Sequence, residues 1–259
     1  MPMLNVRGEE FHIRIDGAEG APVLLLSNSL GTNLSMWDPQ IPAWSQHFRV
    51  VRYDSRGHGR SPAQDKPYSI AMLADDALAI LDALGIEKAH WCGLSKGGMV
   101  GQWLATHHGE RLGRVVLANT AAHMGPPELW DGRIRTVRTQ GMGVLVQPTL
   151  ERWFTPEFRE SAKETVAKVS EMLATTPAVG YANCCAAIRD MDQRESIRAI
   201  ASPVLVVIGG RDPATPPAAG HEIADAIPGA RRVELDAAHL SNLEQPAGFE
   251  KAVTDFLKG

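Results

Sequence analysis

The feature that most limits the possible folds is the segment Gly93-Leu94-Ser95-Lys96-Gly97-Gly98, which joins a predicted strand to a predicted helix. The apolar run Ala89–Cys92 predicts a buried strand, and the residues from about Lys96 to His108 predict a helix. A strand that turns directly into a helix places the serine between them on a tight turn, with its hydroxyl exposed. The flanking glycines leave room for that turn. The segment therefore predicts a strand–turn–helix unit that presents Ser95 as a nucleophile.

The alternation of short apolar runs with helical patterns extends over most of the chain. Eight runs predict strands: Leu4–Arg7, Phe11–Asp16, Val23–Leu26, Phe48–Tyr53, Ala89–Cys92, Val115–Asn119, Val204–Ile208 and Arg231–Leu235. Further helices are predicted after the N-cap Ser69, near Ala218–Ile227 and over about Ala247–Leu257. This alternation is typical of a mainly parallel sheet with helices on both faces, so the predicted fold class is α/β.

The stretch from Ala122 to Ile200 breaks the alternation. It contains helical patterns over Trp130–Gln140, Pro156–Thr175 and Val179–Arg189, and no convincing strand. Ligands of open α/β sheets bind outside the carboxyl ends of the strands, so a helical insertion there would cover the site. We predict a core of residues 1–121 and 201–259, into which residues 122–200 are inserted as a helical cap.

Composition excludes several classes of function. The chain has 259 residues, of which 44% are hydrophobic and 22% charged, as in ordinary globular proteins. A formal net charge of -4 predicts neither a nucleic-acid partner nor binding to an anionic membrane. Three cysteines are an odd number for a disulfide framework, and the vicinal Cys184 and Cys185 are expected to be buried in a helix. No signal peptide or membrane span is apparent, so a cytoplasmic protein is expected.

A serine nucleophile needs a base, and the base needs an acid to orient it. His239 follows the last predicted strand, where the base falls in the chain order Ser, Asp or Glu, His. Asp212 follows the strand Val204–Ile208 and is predicted to orient the His239 ring. Asp236 is the alternative acid, although it is too close to His239 in sequence to reach the ring easily. The predicted catalytic residues are Ser95, Asp212 and His239, with no metal or cofactor.

Acyl-transfer chemistry also needs two N–H donors for the oxyanion that forms at the attacked carbonyl. One is predicted to be the backbone N–H of Lys96, the residue after the nucleophile. The other is predicted to be the backbone N–H of Leu30, in the loop Ser27-Asn28-Ser29-Leu30-Gly31 that follows the strand Val23–Leu26.

Together with Asp54-x-Arg56-Gly57-His58-Gly59-x-Ser61, these residues resemble the α/β-hydrolase superfamily, from the N-terminal strands to the final helix. The resemblance implies the α/β-hydrolase fold, with a mainly parallel eight-stranded sheet, helices on both faces and a helical cap. Within the superfamily the chain is most similar to the 3-oxoadipate enol-lactonases, or β-ketoadipate enol-lactone hydrolases. The segments that carry this similarity are Asn28–Thr32, Met36–Gln40, Gly93–Gly98, Arg133-Ile134-x-x-Val137-Arg138 and Arg152–Pro156.

The resemblance implies hydrolysis of a five-membered enol-lactone that bears a carboxymethyl group, giving 3-oxoadipate in bacterial aromatic catabolism (the β-ketoadipate pathway). The chemistry is consistent with the triad, because the departing enolate collapses to a ketone and the reaction needs only nucleophile, base and oxyanion hole. The expected partner is thus a small carboxylate-bearing lactone, and the chain is expected to be a monomer or a homodimer. Lys96 departs from the smaller or apolar residue common in these enzymes and suggests a second carboxylate contact.

The substrate carboxylate needs a cation, and the cap is expected to supply it. Arg133 is the first candidate, as a bidentate clamp, and Arg138 is the second. The alternative is that these arginines pair with cap acids or face solvent. The predicted substrate-binding residues are Arg133, Arg138, Asn28, Trp130, Met142 and Trp153.

Other functions use the same fold and triad. The alternative enzymes are a generic carboxylesterase, a C–C bond hydrolase and a cofactor-free perhydrolase. The alternative from another functional class is a hydrolase-fold binding protein with slow turnover. Fold and triad alone do not choose among these functions.

Overall fold

Eight strands form one sheet in the computed structural model, which describes residues 2–259. The strands are β1 (Met3–Val6), β2 (Glu9–Asp16), β3 (Val23–Ser27), β4 (Arg49–Tyr53), β5 (Ala89–Leu94), β6 (Leu112–Ala118), β7 (Val204–Gly209) and β8 (Arg231–Leu235). Their order is β1-β2-β4-β3-β5-β6-β7-β8. β1 and β2 form an antiparallel edge, and every pairing from β4 to β8 is parallel. The predicted α/β class and mainly parallel eight-stranded sheet are confirmed.

The central strands lie between two layers of helices, and their burial shows it. All residues of β7 and nearly all of β3 and β4 are buried, so side chains on both faces of these strands are covered. The helices outside the inserted segment are α1 (Ile41–Trp44), α2 (Ile70–Ala83), α3 (Lys96–His107), α9 (Pro217–Ala226), α10 (Ser241–Glu244) and α11 (Pro246–Lys258). Helix α3 packs on β5 and β6, and α11 packs on β6, β7 and β8.

Five helices lie between β6 and β7 in sequence. They are α4 (Pro127–Gln140), α5 (Gly143–Trp153), α6 (Pro156–Ser161), α7 (Lys163–Thr175) and α8 (Ala178–Arg189). The predicted helix Pro156–Thr175 is two helices, because the backbone at Ala162 leaves the helical conformation. Helix α5 was missed by the sequence analysis, since Pro148 lies inside it and interrupts the helical pattern. The core and cap boundaries at residues 121 and 201 stay a prediction.

The described residues contain no disulfide, since Cys92, Cys184 and Cys185 are buried free thiols. The last two lie in α8, as expected. Among residues 2–259, no helix combines the length and apolar character that crossing a bilayer requires.

Candidate active site

Ser95 lies on the turn between β5 and α3, in a backbone conformation that residues other than glycine rarely adopt. Its backbone φ is 57° and its ψ is -115°. A Cβ on Gly93 would lie 2.1 Å from the Gly97 carbonyl oxygen, and one on Gly97 would lie 2.1 Å from the Ser27 carbonyl oxygen. The glycines therefore let the first turn of α3 pack directly on β5 and the end of β3. This geometry is the strained elbow that the sequence predicts.

His239 and Asp212 approach each other from the loops that follow β8 and β7. The distance from His239 Nδ1 to Asp212 Oδ2 is 2.8 Å, and both side chains are buried. The backbone N–H groups of Ala214 and Thr215 donate to Asp212 Oδ1 at 2.7 and 3.0 Å. The Thr215 hydroxyl and the Asn119 amide donate to Asp212 Oδ2 at 2.7 and 3.1 Å. Five hydrogen bonds thus fix this carboxylate in place.

The same contacts keep Asp212 ionised. Burial alone would raise its pKa, but the facing His239 and the hydrogen bonds from His239 and Thr215 outweigh burial and lower the pKa below its ordinary value. An ionised Asp212 accepts the Nδ1–H of His239, which leaves Nε2 as the free base. The alternative acid Asp236 is exposed, and its carbonyl accepts a hydrogen bond from Gln245. The geometry therefore favours Asp212.

A cavity of about 500 Å³ lies between the sheet and the inserted helices. Ser95, Leu30 and His239 line it from the core, and Trp130, Arg133 and Trp153 line it from the inserted helices. The Trp153 ring lies 5.8 Å from the His239 ring, centroid to centroid, at an interplanar angle of 31°. The cavity thus brings together the nucleophile, the base and three of the predicted substrate-binding residues. A more open cleft of about 920 Å³, lined by charged surface residues such as Asp192 and Arg198, lies apart from Ser95.

Two backbone donors at the cavity have no partner within the protein. Lys96 is the first residue of α3, so its N–H has no acceptor inside the helix. Leu30 N–H donates to no group of residues 2–259. Both are therefore free to donate to an oxyanion at Ser95, and their role as the oxyanion hole stays a prediction.

The loop that carries Leu30 is held on both sides. The Asn28 amide donates to the Tyr53 carbonyl at 2.8 Å and accepts from Trp37 Nε1 at 2.9 Å. Gly31 N–H donates to His58 Nε2 at 2.8 Å. Leu30 N–H is therefore fixed before any ligand binds.

Two cap arginines line the cavity. Arg133 Nη1 donates to the Tyr181 hydroxyl at 3.3 Å, and its guanidinium lies 5.5 Å from the centre of the Trp130 ring. Desolvation lowers the pKa of Arg152, and the like charge of Arg133, which lines the same cavity, lowers it further against the opposing effect of Asp212. Among residues 2–259, neither arginine forms an ion pair with a carboxylate. The cavity wall therefore carries two guanidinium groups that are not paired directly with a carboxylate.

A family model described as the alpha/beta hydrolase fold matches residues 22–246, a range that contains Ser95, Asp212 and His239. The chain belongs to the α/β-hydrolase family. The resemblance stated from the sequence is confirmed, and so is the predicted fold.

This hydrolase is similar to enol-lactonases over its whole length. It is 45% identical to 3-oxoadipate enol-lactonase 2 of Acinetobacter baylyi, covering 93% of this chain and 91% of the relative. It is 39% identical to 3-oxoadipate enol-lactonase 1 of the same organism, covering 98% of this chain and 95% of the relative. The crystal structure of the enol-lactonase from Burkholderia xenovorans LB400 matches with a TM-score of 0.98 and 48% identity, covering 100% of both chains. The hydrolase therefore groups with enol-lactonases within its family.

Three predicted substrate-binding residues of the hydrolase do not line the cavity, and each is corrected here. Arg138 Nη2 pairs with Asp65 Oδ1 at 2.9 Å and Asn183 Oδ1 at 2.8 Å, on the outer side of α4. The Asn28 amide forms hydrogen bonds to Tyr53 and Trp37 and so holds the loop that carries Leu30. Met142 is buried at the start of α5 and packs in the hydrophobic core.

The expected carboxylate contact of the Lys96 side chain is also corrected. The side chain is buried and is not among the groups that line the cavity. Burial lowers its pKa, and Cys184, Asp76 and Asp54 lie near enough to oppose that shift. Lys96 therefore reaches the site through its backbone N–H alone.

Sequence reasoning missed two residues of the candidate site. The Thr215 hydroxyl donates to Asp212 Oδ2, and its oxygen lies 3.3 Å from His239 Nδ1. Arg152 lines the cavity, and it stands beside Trp153, which was predicted. The direction of the Arg152 side chain depends on how helix α5 packs, which the sequence does not show. The one available signal was that Arg152 is adjacent to Trp153, a predicted pocket residue.

Proposed function

We propose that the hydrolase opens 3-oxoadipate enol-lactone to 3-oxoadipate through an acyl-enzyme on Ser95. The observation that carries this proposal is the cavity, whose wall brings Ser95 and His239 together with Arg133 and Arg152, two cations that form no ion pair with a carboxylate. A neutral ester needs no such cations, whereas the lactone bears a carboxylate. The named enol-lactonase relatives support the choice of this lactone among carboxylate-bearing esters.

The first half-reaction opens the ring. His239 Nε2 takes the Ser95 hydroxyl proton as Ser95 Oγ attacks the lactone carbonyl carbon. The N–H groups of Leu30 and Lys96 bind the oxyanion. When the tetrahedral intermediate collapses, the ring C–O bond breaks and the enolate oxygen leaves with the proton carried by His239. The enol then becomes the ketone, which makes ring opening favourable.

The second half-reaction releases the product. His239 Nε2 takes a proton from water as the water oxygen attacks the acyl carbon of Ser95, and the same two N–H groups bind the new oxyanion. Collapse breaks the bond to Ser95 Oγ, which recovers its proton from His239. The product has a carboxylate at each end, one formed at Ser95 and one that was present in the substrate.

The substrate carboxylate is bound by the guanidinium groups of the cap. Arg133 is held by Tyr181 and the Trp130 ring, so its fork is already oriented, and it presents paired N–H groups to a carboxylate. Arg152 adds a second positive charge at the same cavity. Neither side chain contacts the reacting carbonyl in this mechanism, so both act on binding of the acid end.

The deciding experiment compares two substrates on matched variants. The wild-type enzyme is expected to hydrolyse freshly prepared 3-oxoadipate enol-lactone, followed by loss of ultraviolet absorbance, with kcat/KM in the range of about 10⁴–10⁸ M⁻¹s⁻¹. Ser95→Ala is expected to abolish this activity. Fast cleavage of a neutral p-nitrophenyl ester with little lactone turnover would keep the serine hydrolase and reject the enol-lactonase.

The arginines are tested on the same pair of substrates. Arg133→Met is expected to raise KM for the lactone about 10-fold or more, because a hydrogen-bonded charge pair is lost, while cleavage of the neutral ester changes little. Arg138→Met is the matched control on the same helix, since Arg138 points away from the cavity. Equal losses on both substrates in Arg133→Met would exclude the carboxylate contact.

Location and assembly are further parts of the proposal. A cytoplasmic enzyme is supported by the three buried free thiols, which a reducing compartment preserves. A monomer or a homodimer is proposed, with no nucleic-acid or membrane partner. Cell fractionation and light scattering of the purified protein test these points.

A further inference from the structure

Ser29 is a lining residue of the cavity whose hydroxyl the mechanism above does not use. Ser29 precedes Leu30 and lines the cavity together with Ser95. The residue is fully buried, and its Oγ has no hydrogen-bond partner. Buried hydroxyl groups are nearly always paired, because an unpaired one has lost its water without compensation. An unpaired hydroxyl in the wall of an active-site cavity points to a bound group that pairs with it.

The backbone N–H and carbonyl of Ser29 are already engaged within the loop, which fixes the backbone that carries this hydroxyl. Ser29 N–H donates to Met36 Sδ at 3.4 Å, and its carbonyl accepts from the Thr32 hydroxyl at 2.9 Å and the Thr32 N–H at 3.3 Å. The loop is held on both sides of Ser29 as well, at Asn28 by Tyr53 and at Gly31 by His58. The loop backbone is therefore fixed at Ser29, and the hydroxyl of Ser29 keeps its donor free.

We propose that the Ser29 hydroxyl is a third donor to the oxyanion at the lactone carbonyl, beside the N–H groups of Leu30 and Lys96. This inference rests on the Ser95 acyl-enzyme of the proposed function. Ser29 forms and breaks no covalent bond, and its proton stays on Oγ. Its hydrogen bond strengthens as negative charge grows on the carbonyl oxygen in each half-reaction.

The unpaired state of the hydroxyl determines which kinetic constant it affects. A donor already paired within the protein must break that bond before it can serve the oxyanion, whereas Ser29 has none to break. Because the gain is larger with the charged intermediate than with the neutral carbonyl, the effect falls mainly on kcat. If Ser29 instead contacted the substrate carboxylate or the ring oxygen in the ground state, its loss would mainly raise KM.

The test compares Ser29→Ala with Ser27→Ala. Ser27 is the matched control: it lies at the end of β3 just before the same loop and is buried, but its hydroxyl lies 3.1 Å from the Tyr53 hydroxyl and it does not line the cavity. Both variants are assayed with the lactone and with p-nitrophenyl acetate. Inhibition by a simple boronic acid, which forms a tetrahedral anionic adduct with Ser95, is measured for each, together with Tm.

Ser29→Ala is expected to lower kcat on both substrates by about 10-fold or more, below the 10²–10³ loss typical of an enzyme's principal donor. KM should stay within about twofold, and boronic acid binding should weaken in parallel with kcat. Tm should hold or rise, since an unpaired buried hydroxyl is removed. Ser27→Ala is expected to lower Tm while keeping kcat.

The proposal is overturned by an unchanged kcat on both substrates, by a raised KM with unchanged kcat, or by equal losses of kcat in the two serine variants. Its failure is distinct from failure of the lactonase assignment. If the wild-type enzyme cleaves p-nitrophenyl acetate but not the lactone, the assignment fails, and the comparison of kcat on p-nitrophenyl acetate still decides the role of Ser29.

Discussion

His58 stabilises the active site without touching substrate. Its Nε2 accepts the N–H of Gly31 at 2.8 Å, and its Nδ1 lies 3.2 Å from the Arg56 carbonyl oxygen, so the ring is neutral with the proton on Nδ1. Burial holds the pKa of His58 well below its ordinary value of 6.5, and the positive charge of Lys96 lowers it further. Protonation would place a cation beside Lys96 and remove the acceptor of Gly31. One imidazole thus links the turn after β4 to the oxyanion loop.

This arrangement predicts how stability depends on pH. The unfolded chain binds a proton at His58 below about pH 6.5, whereas the folded protein does not until much lower pH. Stability therefore falls as the pH decreases from about 6.5. His58→Gln, whose amide oxygen can still accept from Gly31, is expected to have a smaller decrease in Tm between pH 7 and pH 5 than the wild type. Identical pH slopes for the two proteins would contradict this account of His58.

At the scale of elements, the inserted helices are tied to the loop of the catalytic histidine by one carboxylate. Glu244 in α10 accepts the Ala238 N–H through Oε2 at 2.9 Å. Its Oε1 accepts the Thr155 N–H at 3.2 Å and also the Thr155 hydroxyl. Leu240 N–H donates to the Trp153 carbonyl at 3.2 Å in the same region. The junction between α5 and α6 is therefore tied to the residues on both sides of His239.

Removing this carboxylate is expected to affect stability and the site at once. Glu244→Ala loses hydrogen bonds to a charged group, worth about 1.5–3 kcal/mol, so Tm should fall by several degrees. The kcat for both the lactone and a neutral ester should fall, because Trp153 and the His239 loop lose their common support. Glu222→Ala, a change of an exposed glutamate on α9, is the control for both measurements. A large loss of stability with unchanged kcat would mean that Glu244 supports the fold but not the site.

The contrast between strands and cap shows what sequence can predict in this protein. The central strands β5 and β7 are buried at nearly every position, so they appear as mainly apolar runs, and Ser95 and Asp212 follow from their places after these runs. The cap is helical, and the cavity-facing direction of a side chain depends on helix phase and on how α4 and α5 pack. Arg133 and Arg138 are five residues apart on one helix and point to different surroundings.

Contacts between distant segments were the least predictable part of the site. The interaction of Thr155 with Glu244 joins residues 89 positions apart, and that of Asn119 with Asp212 joins residues 93 apart. The types of these side chains are common, and only the tertiary fold brings them together. In contrast, Thr215 is close to Asp212 in sequence, and a hydroxyl or amide just after a predicted catalytic acid is a signal that could have identified it.

For the whole molecule, the sign of the charge at the cavity opposes the sign of the net charge. The chain has 30 acidic and 26 Lys or Arg side chains, a net charge of -4, so an anionic lactone is weakly repelled at long range. At the cavity, in contrast, Arg133 and Arg152 place two positive charges in the wall. Attraction to the substrate is therefore local, and salt screens the part of it that comes from solvent-exposed charge.

The dependence of the rate on salt tests this balance of charges. Raising ionic strength from about 0.01 M to 1 M shortens the screening length from about 30 Å to about 3 Å, so it weakens the attraction between the exposed part of Arg152 and the approaching carboxylate. We expect KM for the lactone to rise a few-fold over this range while KM for a neutral ester stays nearly constant. Arg152→Met should remove most of the salt dependence for the lactone, since the charge that salt screens is gone, and Arg138→Met should preserve it. If the lactone and the neutral ester respond equally to salt, the cations of the cap do not act on the substrate's charge, and the carboxylate must be recognised by neutral donors instead.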